Sequence, residues 1–552
     1  MIYPIVFSAL SLLGCTQIIA EDPPPPCLNP LTVHAPDLGA WIEADNIQVQ
    51  GVSCEVDFIE IQGTRMAPQA DGTFSAFISL SAGINSIEVL GLADETVVAM
   101  ERFSVLQGSF GEPGALMSQS LHTHLSQAGV NAISELVIGM FTPEDVNAAL
   151  EDMNPLFTQP LDFGAVLDTQ VHVNTMDFSR ASLVLTLKDS RIGVELRLAD
   201  LHLWGRLQAS YAGEIKYDED VEAYAELTLV SGYLNPSVAE GELKLDSTEV
   251  ESRLEGFGFD VSGFSDWIEE NVLTTPLEGL LENVAVESIE TLLVPSLETA
   301  FSRLAMEETV DILDVPIALS TAPALVEVDH TGMLLALDMA VSGPGGAHES
   351  PMGPLQVPST AISQAENEVI GIGLHDNALN GALHALWAAG AFDMHFTTSD
   401  ETLTPIVRGL LEADDVHMEL DFQLPPVLTA TPEGLILHFG EILADLQTPN
   451  GVLGETATVA IDGKMKVNAQ FVEGEFTIDF DDIQAQAIVR ENDWGMDTVE
   501  ATTLFRSRLP MSMALSMMGG MRFPIPSLSE FGISQIELSR SGAIPETVFS
   551  LK

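Results

Sequence analysis

The chain has 552 residues, enough for three or four domains, and 46% of them are hydrophobic, which excludes disorder as the general state. Its 20 basic residues stand against 82 acidic ones, for a formal charge of −62. A surface so poor in Lys and Arg repels phosphate backbones and anionic membrane faces, which excludes nucleic acid as a partner.

The apolar run from Ile2 to Leu13 is too short to cross a bilayer as a helix. It ends in Leu12-Leu13-Gly14-Cys15, which is similar to the lipobox of bacterial lipoproteins. In that pattern the cysteine is lipidated and becomes the mature N-terminus. No Lys or Arg precedes the run, so the usual positive n-region is missing; the alternative is a secretory signal cleaved after Ala20. Residues 1–15 are therefore expected to be a lipoprotein signal and Cys15 the lipidation site. The expected location is the cell envelope, at the outer membrane, with secretion as the alternative. Residues 16–30 form a proline-rich tether, with Pro23 to Pro26 as a stiff spacer. The remaining cysteines, Cys27 and Cys54, are expected to pair in an exported chain, constraining the unfolded state by roughly 3–4 kcal/mol.

Residues 31–108 read as short strands, among them Ile47–Val52, Phe74–Leu80 and Met100–Val105, with Asp71-Gly72 as a turn. The stretches Ala70–Phe77 and Ala82–Val89 resemble small bacterial immunoglobulin-like modules, which serve as spacers or adhesive units. A spacer is the expected role. Gly108–Gly114 is a joint. The spacing of Met117, Leu121, Leu125, Ala128, Ala132, Leu136 and Met140 predicts one long amphipathic helix over Ala115–Phe141. Alternation at Leu183, Leu185, Leu187 and at Val194, Leu196, Leu198 predicts antiparallel strands with one buried face. A second helical segment is expected over Trp267–Leu304, divided or kinked at Pro276 and Pro295. Strands follow at Val315–Leu319, Leu325–Asp329 and Met333–Val341.

Residues 342–364 carry four prolines and four glycines and read as a linker between units 109–341 and 365–552. After it, a short strand from Val369 leads into a helix with Leu379, Leu383, Leu386 and Trp387 on its apolar stripe. His375, Asn380 and His384 fall outside that stripe, and Gly390 suits a C-terminal stop. Strands over 416–489, a helix at Arg508–Met521 and closing strands complete the chain. The order helix, sheet, helix, strands thus occurs on both sides of the linker, and the chain reads as α+β.

At Gly373-Leu374-His375-Asp376-Asn377-Ala378-Leu379-Asn380 and Ala388-Ala389-Gly390 the chain resembles the start of the C-terminal barrel in a known family. The family comprises bactericidal/permeability-increasing protein, lipopolysaccharide-binding protein and the phospholipid and cholesteryl-ester transfer proteins, members of the tubular lipid-binding superfamily. Leu424-Pro425-Pro426-Val427, Phe523-Pro524-Ile525-Pro526 and Ile536-Glu537-Leu538 are similar to later family segments, and residues 342–364 stand where the family has its inter-barrel linker. The resemblance covers about Gly114 to Lys552 and is strongest after the linker. It implies two tandem elongated barrels of twisted antiparallel sheet, each with two long helices, in a boomerang-like body preceded by the small all-β sandwich. It also implies lipid binding in apolar tubes. Two departures matter. No cysteine follows Cys54, and the surface is acidic, so capture of lipopolysaccharide through a basic tip does not carry over.

The candidate lining of those tubes is Leu121, Leu125, Leu136, Leu281 and Leu292 in the first unit. In the second it is Leu383, Leu386, Trp387, Met513, Met517 and Met521, the methionines being soft enough to line irregular pockets. The expected partner is a lipid or other hydrophobic molecule, with the membrane engaged through the N-terminal lipid. The alternative is a surface interaction or structural protein whose barrels are packed with side chains. His122-Thr123-His124 is not expected to hold metal, because neighbours on a helix point about 100° apart and at least one should face solvent. Asp479-Phe480-Asp481-Asp482 lacks calcium-loop spacing. No nucleophile, phosphate-loop or metalloprotease motif is present, so neither an enzyme nor a cofactor is expected.

Overall fold

The computed structural model describes residues 30–155, 157–162, 166–211, 214–263, 273–302, 307–357, 370–397, 415–431, 434–449, 455–472, 475–505, 521–524, 536–539 and 546–551. The chain is mostly β. Residues 31–107 form a two-sheet sandwich. One sheet holds Leu31–Ala35, Asn46–Ser53 and Thr73–Ser79, and the other is built on the long pair Gly83–Ala93 and Thr96–Gln107. Val49, Ile59, Ile61, Phe74, Ile87, Val89 and Phe103 fill the space between them. At the predicted turn the Asp71 carboxylate accepts from Thr73 N and Oγ1, and Gly72 is left-handed (φ 84°), where a Cβ would meet Ser53 O at 2.4 Å. Cys54 is disulfide-bonded; its expected partner Cys27, and the expected lipidation site Cys15, lie outside the described residues.

The predicted helix over Ala115–Phe141 is corrected. Met117–Ser126 is a strand, and helix α1 covers only Gln127–Met140. Ser126 caps α1 by accepting from Gly129 N, which fixes where the helix begins. The strand is central in a seven-stranded sheet, paired on one side with Gly332–Ser342 and on the other with Ile370–His375. Leu121 and Leu125 satisfy helical and strand periodicities alike, so spacing could not separate the two. His122 and His124, expected to have at least one solvent-facing member, are both buried within this sheet. The sheet draws strands from both sides of the linker: 307–342 and 117–126 from one, 370–375 and 536–551 from the other.

Helix α2 (Pro143–Met153) follows, with a capping box between Thr142 and Asp145. Next comes a seven-stranded antiparallel sheet whose strands Arg191–Tyr211 and Glu214–Ala239 have 21 and 26 residues. Globular strands commonly run about 5–6 residues, and 26 residues at about 3.3 Å each make a ribbon of roughly 85 Å. Its inward side chains are the predicted alternating leucines, and α1, α2 and the next helical segment close over them. That segment begins with α3 (Thr274–Ser288), changes to π geometry at Ile289–Leu293 and resumes as α4 (Val294–Ser302). Pro276 sits in the first turn of α3, where a missing N–H costs nothing, and causes no break. Pro295 cannot donate to the preceding turn, and the π segment ends just before it. Nearby, Ser296 Oγ donates to Leu292 O (2.6 Å) and Thr291 Oγ1 to Glu287 O (2.7 Å).

Beyond the linker, Ile370–His375 is the expected strand and α5 (Asp376–Ala388) the expected helix. A third seven-stranded sheet holds 394–396, 417–422, 427–431, 434–447, 456–472, 475–492 and 521–524, and α6 (Thr498–Phe505) packs on it. The helix predicted at Arg508–Met521 lies outside the described residues, except that Met521 begins the strand Met521–Pro524.

The sandwich, expected to act as a spacer, lies against the third sheet. Strand 434–447 carries a bulge at Gly440-Glu441, where Glu441 is left-handed (φ 54°). The bulge turns Glu441 into the seam. There its carboxylate accepts from Ser104 N (2.8 Å) and pairs with Arg490, whose Nη2 also donates to Arg102 O (3.2 Å). A Cβ on Gly440 would stand 2.7 Å from Ile84 and 2.8 Å from Ser104, so only glycine allows this approach. Arg102 in turn pairs with Asp462 (3.0 Å). Burial raises the Asp462 pKa against the lowering influence of Arg102.

His438, at the same seam, is held down to about 4, first by burial and then by the Lys464 charge. The folded state therefore resists a proton that the unfolded chain accepts near pH 6.5, so stability is full above that pH and is lost as pH falls toward 4. About 2–3 kcal/mol is at stake at pH 4.5. The raised Asp462 acts in the opposite sense, favouring the folded state on acidification. His438→Gln should flatten the acid limb of the urea midpoint measured from pH 7.5 to 4.5. Parallel curves for variant and wild type would remove His438 as the cause.

Candidate functional site

The sequence-predicted lining residues fall into two interiors. Leu125 and Leu281 are fully buried and Leu121 nearly so, in one core between the long sheet and helices α1 to α4; Leu292, half-buried on the π segment, packs against it. Leu136 is half-buried on α1, and the stripe that α1 buries is Val130, Ile133 and Val137 instead. That stripe has helical spacing from 130 onward. The periodicity carried through from Met117 hid it, because the first part of that run is a strand. Leu383, Leu386 and Trp387 lie in the second core, between α5 and the third sheet. Ile372 and Leu374, half-buried on the strand before α5, pack against both cores and join them. Met513 and Met517 lie outside the described residues, and Met521 is placed only by its backbone, opposite Ile478.

Both interiors are apolar where they are described, the first mainly aliphatic and the second rich in aromatic side chains, among them Trp387, Phe422 and Trp494. In the first, Leu196, Leu201 and Leu203 from one long strand lie opposite Val230, Ala225 and Ala223 from the next, and no buried charged side chain of the described residues lies in this core. A cavity of about 380 Å³ opens at one end of the sheet shared by the two sides of the linker, lined by His124, Ser190, Glu327, Asp329 and Gly332 together with Pro236 and Leu334; its largely polar lining suits water rather than an acyl chain.

The polar residues of α5 are corrected: His375, Asn380 and His384, expected outside the apolar stripe, are all buried. Each has a structural task. His375 caps α5, its Nδ1 accepting from Asn377 N (3.1 Å). Asn380 bridges both backbone groups of Leu428, accepting from its N–H (2.7 Å) and donating to its C=O (3.1 Å). Asn377, one turn earlier, does the same for Val357 in the linker, at 2.6 and 3.2 Å. His384 Nε2 meets Ser350 Oγ at 3.1 Å, and burial lowers its pKa. Trp387 donates from Nε1 to Phe422 O, and the His348 ring stacks on it at 4.9 Å with planes 8° apart. His348 also touches Asp393 (2.9 Å) and approaches Asp421 (3.9 Å) from its other nitrogen. The two carboxylates thus address different ring nitrogens, the arrangement of a paired histidine more than of a metal ligand set. Among the described residues this is the one His/Asp/Glu grouping compact enough to consider for an ion.

Asn380→Ala would leave the Leu428 N–H and C=O buried without a partner. We expect a loss of roughly 2–4 kcal/mol, read from the urea midpoint. A loss below about 0.5 kcal/mol would show that water replaces the amide there.

No family model matches the chain, and neither does any curated protein. Solved structures do match. Lipopolysaccharide binding protein aligns over 80% of this chain and 98% of its own at 14% identity, with a TM-score of 0.36. P47 from Clostridium botulinum A2 aligns over 79% of this chain and 98% of its own at 9% identity, TM-score 0.29. P47 of Clostridium botulinum E1 aligns over 79% and 99% at 7% identity, TM-score 0.29.

Proposed function

We propose that the chain binds a lipid, or a similar hydrophobic molecule, along the aliphatic interior of its long sheet. The observation that carries this reading is the length and composition of that interior. Two strands of 21 and 26 residues, with helices laid along their inner face, enclose a core without a described charge. Such a space matches an acyl chain, for which each buried methylene contributes about 0.8 kcal/mol. The resemblance of Gly373–Asn380 and the segments after it to lipid-transfer proteins points the same way. No catalytic role is part of the proposal, since the buried histidines and asparagines of α5 are engaged with backbone and linker.

A second reading, a structural or interaction protein with filled interiors, is favoured by one observation. Leu196, Leu203, Leu207, Leu281 and Leu293 are fully buried, which dense self-packing also produces. Native mass spectrometry and uptake of a fluorescent phospholipid separate the two. Lipid is expected in the wild type, and Ala225→Phe, which fills the interior, should cut uptake at least fivefold. Absence of lipid and of uptake in the wild type would favour filled interiors.

We propose further that the chain is exported and held to the bacterial outer membrane through a lipid on Cys15, with Cys27 joined to Cys54. Labelled palmitate should enter the wild type and not Cys15→Ala; equal labelling would reject the anchor.

A further inference from the structure

The seam between the sandwich and the third sheet holds a cleft of about 340 Å³. Its polar lining is Ser86 and Arg102 from the sandwich and His438, Asp462, Lys464, Gln484 and Gln486 from the sheet, the one lining carboxylate, Asp462, being paired with Arg102. We propose that this cleft binds a small oxyanion, a phosphate monoester or a carboxylate. Its polar side chains stand on the opposite face of the sheet from the second interior, which the cleft touches only through Phe439 and Ala485.

The argument rests first on charge. The whole chain has 20 basic residues against 82 acidic ones, yet Arg102 and Lys464 converge on this one cleft, with Lys466 two residues along the strand and Arg490 behind. Arg102 is neutralised within the seam. Its Nε donates to Ser86 Oγ (2.8 Å) and meets Asp462 (3.0 Å), and Glu88 lies 3.5 Å from Nη1. The carboxylates nearest the cleft are therefore already occupied. Lys464 has no ion-pair partner among the described residues.

The neutral groups agree with this. His438 Nε2 is engaged with Thr429 Oγ1 at 2.9 Å, and the ring, held uncharged at neutral pH by burial, brings no further charge into the cleft. Gln486 accepts from Arg102 through Oε1, which turns its amide N–H groups into available donors. Gln484 leans toward Asp482 at 3.4 Å, a long contact that a better acceptor can replace. One unpaired ammonium, amide donors and a neutral imidazole around a concave space of this size are the elements of a small-anion site. Strongly negative surroundings also explain selectivity. Long-range repulsion turns away anionic surfaces, while a small anion in the cleft is held by contacts shorter than the screening length of about 8 Å at physiological salt.

That balance gives an unusual salt response. Raising salt from 20 to 150 mM screens the distant repulsion more than the contact, so affinity should hold or rise, where an ordinary exposed ion pair would weaken. Titration calorimetry of the full chain with inorganic phosphate, glycerol 3-phosphate and citrate tests it. At least one probe should bind, Lys464→Met should weaken it tenfold or more, and Lys464→Arg should restore most of it. Lys466→Met should stay within twofold of wild type. Dihexanoyl phosphatidic acid that binds at least tenfold more tightly than glycerol 3-phosphate would identify a lipid headgroup as the source, and equal or weaker binding a free solute. No binding of any probe, or equal losses in both Lys→Met variants, overturns the proposal.

Discussion

The body of this protein is assembled around the indole of Trp387. Burying an indole is favourable only if its N–H finds an acceptor, and here Phe422 O supplies it. The ring then presents two faces and an edge to the remaining parts of the chain. His348 from the linker stacks on one face, and Trp41 from the sandwich reaches it at 6.1 Å between centroids. Three separate stretches of sequence therefore converge on one side chain of α5. Removing it would open a cavity touching all three at once, so their packing is coupled, and substitutions in them should not add independently.

Apolar convergence alone would leave α5 free to rotate or slide. Asn377 and Asn380 remove that freedom. Each amide offers one donor and one acceptor to a single residue of extended backbone, as a neighbouring strand would. One asparagine fixes the linker at Val357 and the other fixes the third sheet at Leu428. A buried network of this kind stabilises only when every member is satisfied, and it then selects one register among several that hydrophobic contact would allow. The Glu441–Arg490 pair plays the corresponding part at the sandwich seam. Its worth lies more in specifying how the two surfaces meet than in net stability, because desolvating both charges offsets much of their attraction.

These controls explain what the sequence disclosed. Alternation at Leu183–Leu187 and Val194–Leu198 identified buried strand faces because a sheet with one wet side has a strict period of two. The strand before α5 and the helix itself were legible because polar capping residues separate two apolar runs. The strand Met117–Ser126 was not. It is buried on both faces in the centre of a sheet, loses the alternation, and leaves leucines four apart that fit a helix equally well. The buried roles of Asn380, His384 and Glu441 were illegible for a different reason. Their partners lie 48, 34 and 337 residues away, and nothing local records such distances. Of the candidate lining, Leu121, Leu125, Leu281, Leu383, Leu386 and Trp387 belong to buried cores, whereas Leu136 does not, its place being taken by Ile133 and Val137 one face round the helix.

The junction of the two interiors has one further consequence. Ile372 and Leu374 touch both cores, and they stand on a strand hydrogen-bonded to 117–126, whose own leucines face the first core. Close-packed interiors transmit displacement, because a side chain cannot shift without its neighbours. Anything that spreads the first core against Leu121 and Leu125 must therefore act on Leu374, and through His375 on the first turn of α5. From there the asparagine clamps lead to the linker and the third sheet. The two halves are thus joined by more than a proline-rich connection. They share a sheet, and α5, held by both asparagine clamps, begins at the end of one of its inner strands.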